Sequence, residues 1–109
     1  MAMDQGLTDD LRAHLETLDG VVEQRMLGGV GFMWQGNLLC GVMGDELLVR
    51  VGKAAGESLI GEEGAHPMTM GGRSSRGWIL VPMETRDRAT RIATWVDRAV
   101  GHVETLPPK

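Results

Sequence analysis

Between Val21 and Val51 short apolar runs alternate with turn residues so closely that extended strands are the only regular element that fits. The runs are Arg25-Met26-Leu27, Gly31-Phe32-Met33-Trp34, Asn37 to Met43 and Glu46 to Val51. The connectors Gln35-Gly36 and Gly44-Asp45 are two-residue links of the kind that closes β-hairpins, where glycine supplies a positive φ at little steric cost. Parallel neighbours need a crossover of a dozen or more residues, so this segment must be an antiparallel meander. In its last run Leu47, Val49 and Val51 alternate with Glu46, Leu48 and Arg50. One face is therefore apolar and the other mixed, as in a sheet covered mainly on one side.

The cover must come from helices. Leu7, Leu11, Leu15 and Leu18 recur at spacings of four, four and three, which places them on one stripe. Thr8 is the expected N-cap, with Asp9 and Asp10 at the positive end of the helix dipole and Gly20 as the stop. A second, short helix is expected within Gly52 to Ile60, and a polar loop from Gly61 to His66. Pro67 to Met70 suits a brief edge strand and Gly77 to Val81 a firmer one, with Gly71 to Arg76 as a mobile join. Near the C-terminus Ala89, Ile92, Val96, Ala99, Val103 and Leu106 form an amphipathic stripe capped by Thr85 and closed by Pro107-Pro108. The result is an α+β, two-layer domain spanning 1–109, with an antiparallel sheet of about five strands in the order α-β(3)-α-β(2)-α. Its expected core holds Leu11, Leu15, Met26, Phe32, Leu39, Leu47, Val49, Ile79, Ile92, Val96 and Ala99.

Composition narrows the function. A chain of 109 residues that is 42% hydrophobic and 24% charged can bury one modest core. It has no apolar run long enough to span a bilayer and no secretory signal at Met1 to Gln5, so no membrane association and a cytoplasmic address are expected. Cys40 is the only cysteine, which excludes an internal disulfide. The net charge of −4 disfavours contact with phosphate backbones. Arginines do concentrate late in the chain, at Arg73, Arg76, Arg86, Arg88, Arg91 and Arg98, and are expected to form a solvated face. Aromatic residues are few and the helices are separated by strands, so duplex DNA binding by this domain alone is not expected.

No constellation for catalysis stands out. Gly28-Gly29-Val30-Gly31 lacks the Lys-Ser/Thr and following helix of a phosphate loop, so a bend with close backbone approach explains it better. His14, His66 and His102 are dispersed, and neither a metal nor another cofactor is expected. Cys40 lies in an apolar strand and is expected to be a buried, inert thiol.

Arg25-Met26-Leu27-Gly28-Gly29-Val30-Gly31-Phe32-Met33, with Gly36-Asn37 and Gly44-Asp45-Glu46-Leu47 after it, resembles the N-terminal domain of the TfoX/Sxy competence-regulator family. Gly72-Arg73-Ser74-Ser75-Arg76-Gly77-Trp78 is similar to a later motif of that family, with Ser-Ser where Pro-Met is common. The resemblance implies a fold like that of secretion chaperones, no established reaction and hence no catalytic residue. The competence regulators carry a further C-terminal domain that the resemblance does not reach. The expected function is a non-enzymatic regulatory or adaptor role through contacts with a protein partner, self-association into a homodimer included, linked to transcriptional regulation of competence. The motif residues Arg25, Met26, Gly28, Gly29, Gly31, Arg50, Arg73, Arg76 and Trp78 are the candidates for that surface. The alternative is a small-ligand or anion-binding module that uses Arg25, Arg50, Arg73 and Arg76.

Overall fold

The computed structural model describes residues 5–26, 29–70, 73–83 and 87–108, with backbone alone for 26, 70 and 73–76. The elements follow as α1 (Gln5–Leu15), β1 (Val21–Met26), β2 (Gly29–Trp34), β3 (Asn37–Met43), β4 (Glu46–Arg50), α2 (Lys53–Leu59), a 3-10 turn (Glu62–Gly64), β5 (His66–Met70), β6 (Arg73–Pro82) and α3 (Arg88–Val103). All six strands pair antiparallel in one open sheet of order β1-β2-β3-β4-β6-β5. The α+β class and the meander are as expected. The strand count is one higher, because Val21–Met26 forms a strand of its own in register with β2.

Both expected hairpins close on two residues. Gln35 and Gly36 have φ of 55° and 82°, the double positive φ of a type I′ turn. In the second, Gly44 has φ 63° and Asp45 has no positive φ, the pattern of a type II′ turn. Each carries the right-handed twist that lets the flanking strands continue side by side.

Directly opposed residues share a face, so register sorts the sheet into two sides. On the first side stand Phe32, Cys40, Val49 and Ile79 in one row, and Val30, Val42, Leu47 and Val81 in the next. These residues are all buried. A register shift between Phe32 and Met33 makes Leu39 an extra residue on β3, so Leu39 and Cys40 both oppose Phe32 and both join the core. Leu7, Leu11 and Leu15 of α1 close over this side with Ile92, Trp95, Val96, Ala99 and Val103 of α3, while Ala55 and Leu59 of α2 pack at its margin. Burying a Leu- or Ile-sized side chain contributes about 1.5–3 kcal/mol, so this single cluster dominates stability.

Several local expectations are corrected. α1 starts at Gln5, so Thr8 is a fully buried residue inside the helix rather than its cap, and Asp9 and Asp10 lie beyond the first turn. Polar Thr8 adjoins the Leu7 and Leu11 stripe, and tertiary burial there overrides its preference for a helix end. Arg73 to Arg76 belong to β6 and are not a loop. The long β5–β6 hairpin gives them ladder partners at Met70, Thr69 and Met68. Ala89 is exposed, one turn ahead of the buried stretch that begins at Ile92. Asp87, with φ 55°, occupies the N-cap position of α3. Gly28, Thr85 and Arg86 lie outside the described residues, as does the Met26 side chain.

The arginines of α3 are not a solvated face. Arg88 reaches Asp10 of α1 at 2.7 Å with its side chain 13% exposed. Arg91 meets Glu63 at 3.3 Å and donates to the Pro82 carbonyl at 2.9 Å. Arg98 makes an ion pair with Glu62 at 2.6 Å, without hydrogen-bond alignment, and stacks on the Trp95 ring at 4.6 Å. Trp95 is fully buried and donates its indole N–H to Glu63 at 2.6 Å. Charge and burial thus clamp the 3-10 turn onto α3.

Glycine is required where strands approach most closely. A Cβ on Gly29 would sit 1.8 Å from the Val42 carbonyl oxygen, and one on Gly41 would sit 2.4 Å from that of Val30. Backbone atoms cannot yield as a flexible side chain could. Gly29→Ala should therefore cost more than 2 kcal/mol or so in urea unfolding, against typical point-mutant costs of about 0.5–3 kcal/mol. Gly101→Ala, inside α3 with open space around it, should stabilise by about 0.4–1 kcal/mol. Glu63→Ala leaves the Trp95 indole without its acceptor and should cost about 1–3 kcal/mol by the same measurement.

Candidate partner surface

The second side of the sheet carries no helix over β1 to β3. Val22, Met33 and Leu38 fall in one row, with Met43 opposite Gly29 further along. Between them runs the row Gln24, Gly31, Gly41 and Leu48. Its two central members are buried glycines, so no side chain stands in that row between Met33 and Leu38 on one side and Met43 on the other. Val22 is 62% exposed, the most exposed large apolar residue described, and Met33, Leu38 and Met43 are half-buried. Methionine suits such a place because its unbranched, polarizable chain adapts to what it meets.

The far half of this side is better filled. Leu48 and Met68 are buried yet stand outside the main core cluster. Arg50 lies over the Trp78 ring at 4.7 Å, and the two residues are cross-strand partners on β4 and β6. A guanidinium on an indole face contributes about 0.5–1 kcal/mol at an exposed site. His66 and Glu46 meet at 2.6 Å along the rim. The open apolar area is therefore confined to the β1–β3 end.

The motif residues do not form one cluster. Arg25 is exposed on edge strand β1, in the row of Val30, Val42 and Leu47, and so on the helix-covered side. Arg50 is on the opposite side, three strands away, at roughly 14 Å for strands spaced about 4.8 Å apart. Those two cannot close on one anion. Arg73 and Arg76 lie on β6 with their side chains undescribed. Met26 ends β1 opposite Gly29, Gly31 is buried opposite Gly41, and Trp78 carries Arg50. The residues that sequence reasoning did not select are Val22, Met33, Leu38 and Met43. Their signal was the same alternation that marks the buried face, read on the other parity.

Other places in the molecule are already occupied by structure. Cys40 is buried and its thiol pKa is pushed far up by desolvation, so the thiolate that a nucleophile requires does not form. Arg12 holds Glu23 through two contacts, at 2.8 and 3.0 Å, and keeps that carboxyl below its ordinary range. An open groove of about 410 Å³ between α2 and α3 is lined by Gly52, Arg98 and His102, but Arg98 is engaged with Glu62 and Trp95. Among the described residues no three His, Cys, Asp or Glu side chains gather, and no helix is long and apolar enough to cross a membrane.

The fold is an α+β sheet whose three helices all pack on one face. Over residues 13–103 the sequence matches the TfoX N-terminal domain, and the chain belongs to that regulatory family. Neither a curated protein nor a solved structure matches it.

Because Cys40 is sealed in the core, the native chain should resist thiol reagents and react fully only once unfolded. Stoichiometric labelling in native buffer, with no change in circular dichroism, would show the thiol to be accessible.

Proposed function

We propose that this chain is a non-enzymatic regulatory or adaptor module that binds a protein partner through the β1–β3 end of its open sheet face. The observation that carries the proposal is the one-sided cover. All three helices lie over one face, while on the other Val22 is exposed and Met33, Leu38 and Met43 are only half-buried. Apolar side chains left open to water on one face of a sheet are a feature of protein-binding patches. Membership of the TfoX N-terminal family supports a regulatory setting linked to competence. The inert Cys40 supports a role without covalent chemistry.

Duplex DNA is not the partner of this domain. Phosphate contacts require cations free to displace counterions. Arg88, Arg91 and Arg98 instead neutralise Asp10, Glu63 and Glu62 within the fold, and the net charge is −4.

The chain, immobilised and exposed to an extract of its own cells, should retain a protein that Leu38→Asp and Met43→Asp both lose. Asp97→Ala, on the exposed back of α3, should retain it. Equal retention by all four proteins would overturn the open-face assignment. In fluorescence anisotropy the chain should show no micromolar affinity for labelled duplex at about 200 mM salt, the upper end of the range over which phosphate-driven binding collapses. Micromolar binding there would exclude the protein-only role.

A further inference from the structure

The sheet has two edges, and they are built differently. At β5 the edge carries Pro67 and faces a register shift between Pro67 and Met68. Proline and bulges are the devices by which natural sheets stop another strand from adding. β1 has neither: Val21–Met26 contains no proline and pairs with β2 in unbroken register. Its outward residues Val22, Glu23, Gln24 and Arg25 are all exposed. An edge left open in a chain that closes the other one needs a partner.

The side-chain order on β1 defines which partner fits. Around Gln24 the strand is a palindrome of chemistry, with apolar Val22, acidic Glu23, basic Arg25 and apolar Met26. A second copy can add antiparallel about a two-fold axis normal to the sheet only in registers where some residue faces its own counterpart. Centring the axis on Glu23 opposes two carboxylates, and centring it on Arg25 opposes two guanidinium groups. Both arrangements place like charges directly across the ladder, which is destabilising. Centring on Val22 pairs only the first half of the strand. Centring on Gln24 places each Glu23 opposite Arg25 of the other copy, twice, and sets Val22 opposite Met26. No acid among the described residues lies within ion-pair distance of Arg25. Arg12 meanwhile fixes the Glu23 carboxylate on the same side of the sheet. Either phase of the backbone ladder closes this register, since both strands meet it symmetrically.

We propose that the chain self-associates by antiparallel pairing of β1 with β1 of a second copy about a two-fold axis at Gln24, held by two Glu23–Arg25 cross-strand pairs. The product is a continuous sheet of twelve strands, twice the six of one copy, with both helix layers on one side. The two open β1–β3 faces then adjoin on the other side. The pairing does not depend on the open-face binding proposed above. Leu38→Asp removes that binding and leaves self-association intact.

Strand pairing alone buries less than a standard interface, so the dimer should dissociate within about 1 µM to 1 mM in sedimentation equilibrium. Glu23→Lys places lysine opposite Arg25, and Arg25→Glu places glutamate opposite Glu23. Each variant alone should dimerise at least about tenfold more weakly, the effect of two like-charge pairs in place of two opposite ones. Mixed in equal amounts the two variants regain both opposite-charge pairs, and a heterodimer should form with affinity near the parent's. Glu23→Lys also loses the Arg12 contact, so its thermal midpoint is measured alongside. Should it fail to fold, Gln24→Cys decides. That thiol lies on the axis and should cross-link two chains under mild oxidation, while Cys40 stays buried. A chain that remains monomeric to about 1 mM would overturn the proposal, as would a dimer indifferent to both charge reversals. So would the absence of any Gln24→Cys cross-link at concentrations where the dimer is populated.

Discussion

The burial of Trp95 against Glu63 is the contact on which the helical layer depends. An indole of this size removes a large apolar area from water, but only if its N–H keeps a hydrogen-bond partner. Glu63 supplies that partner from the 3-10 turn and accepts from Arg91 as well. Arg98 stacks on the ring and reaches Glu62. The turn between α2 and β5 is thereby drawn onto α3, and α3 is held flat against β3 and β4. Removing that carboxylate leaves the buried indole N–H without its acceptor, while Arg91 keeps the Pro82 carbonyl.

Concentrating the helices on one face has a consequence for the other. The sheet needs a hydrophobic side to hold its cover and needs no such side elsewhere, yet Val22, Met33, Leu38 and Met43 are apolar and at least partly open to water. The chain belongs to the TfoX N-terminal domain family, a regulatory one. The arginines that might have suggested nucleic acid are spent on internal carboxylates. The two edges also differ, since β5 carries Pro67 and a register shift while β1 has neither.

Much of the architecture was legible because it rests on local periodicity. Leu7, Leu11 and Leu15 are buried as their spacing predicted, and so are Ile92, Val96 and Ala99. Leu47 and Val49 face the core while Glu46 and Arg50 do not. Gly29 fulfils the expectation of a close backbone approach. The errors fall where tertiary partners outweigh local preference. Thr8 is a fine capping residue in isolation but is buried inside α1, and Arg73 to Arg76 read as a loop but gain a ladder partner in β5. Of the candidate surface, Val22, Met33, Leu38 and Met43 were not singled out in the sequence, because an apolar strand residue gives no sign of which face remains uncovered.

The sequence by itself determined the antiparallel meander, the amphipathic helices at either end and the absence of an internal disulfide. These follow from glycine-bearing two-residue turns, from 3.6-residue and two-residue periods, and from a single cysteine. Only the tertiary structure decided that Arg88, Arg91 and Arg98 face carboxylates rather than water, and that Arg25 and Arg50 stand on opposite sides of the sheet. It also decided which face of the sheet receives the three helices. Periodicity records which residues share a face. Which face receives the helices depends on how far apart in the chain the packing partners lie, and Glu63 meets Trp95 across thirty-two residues with no local signal linking them.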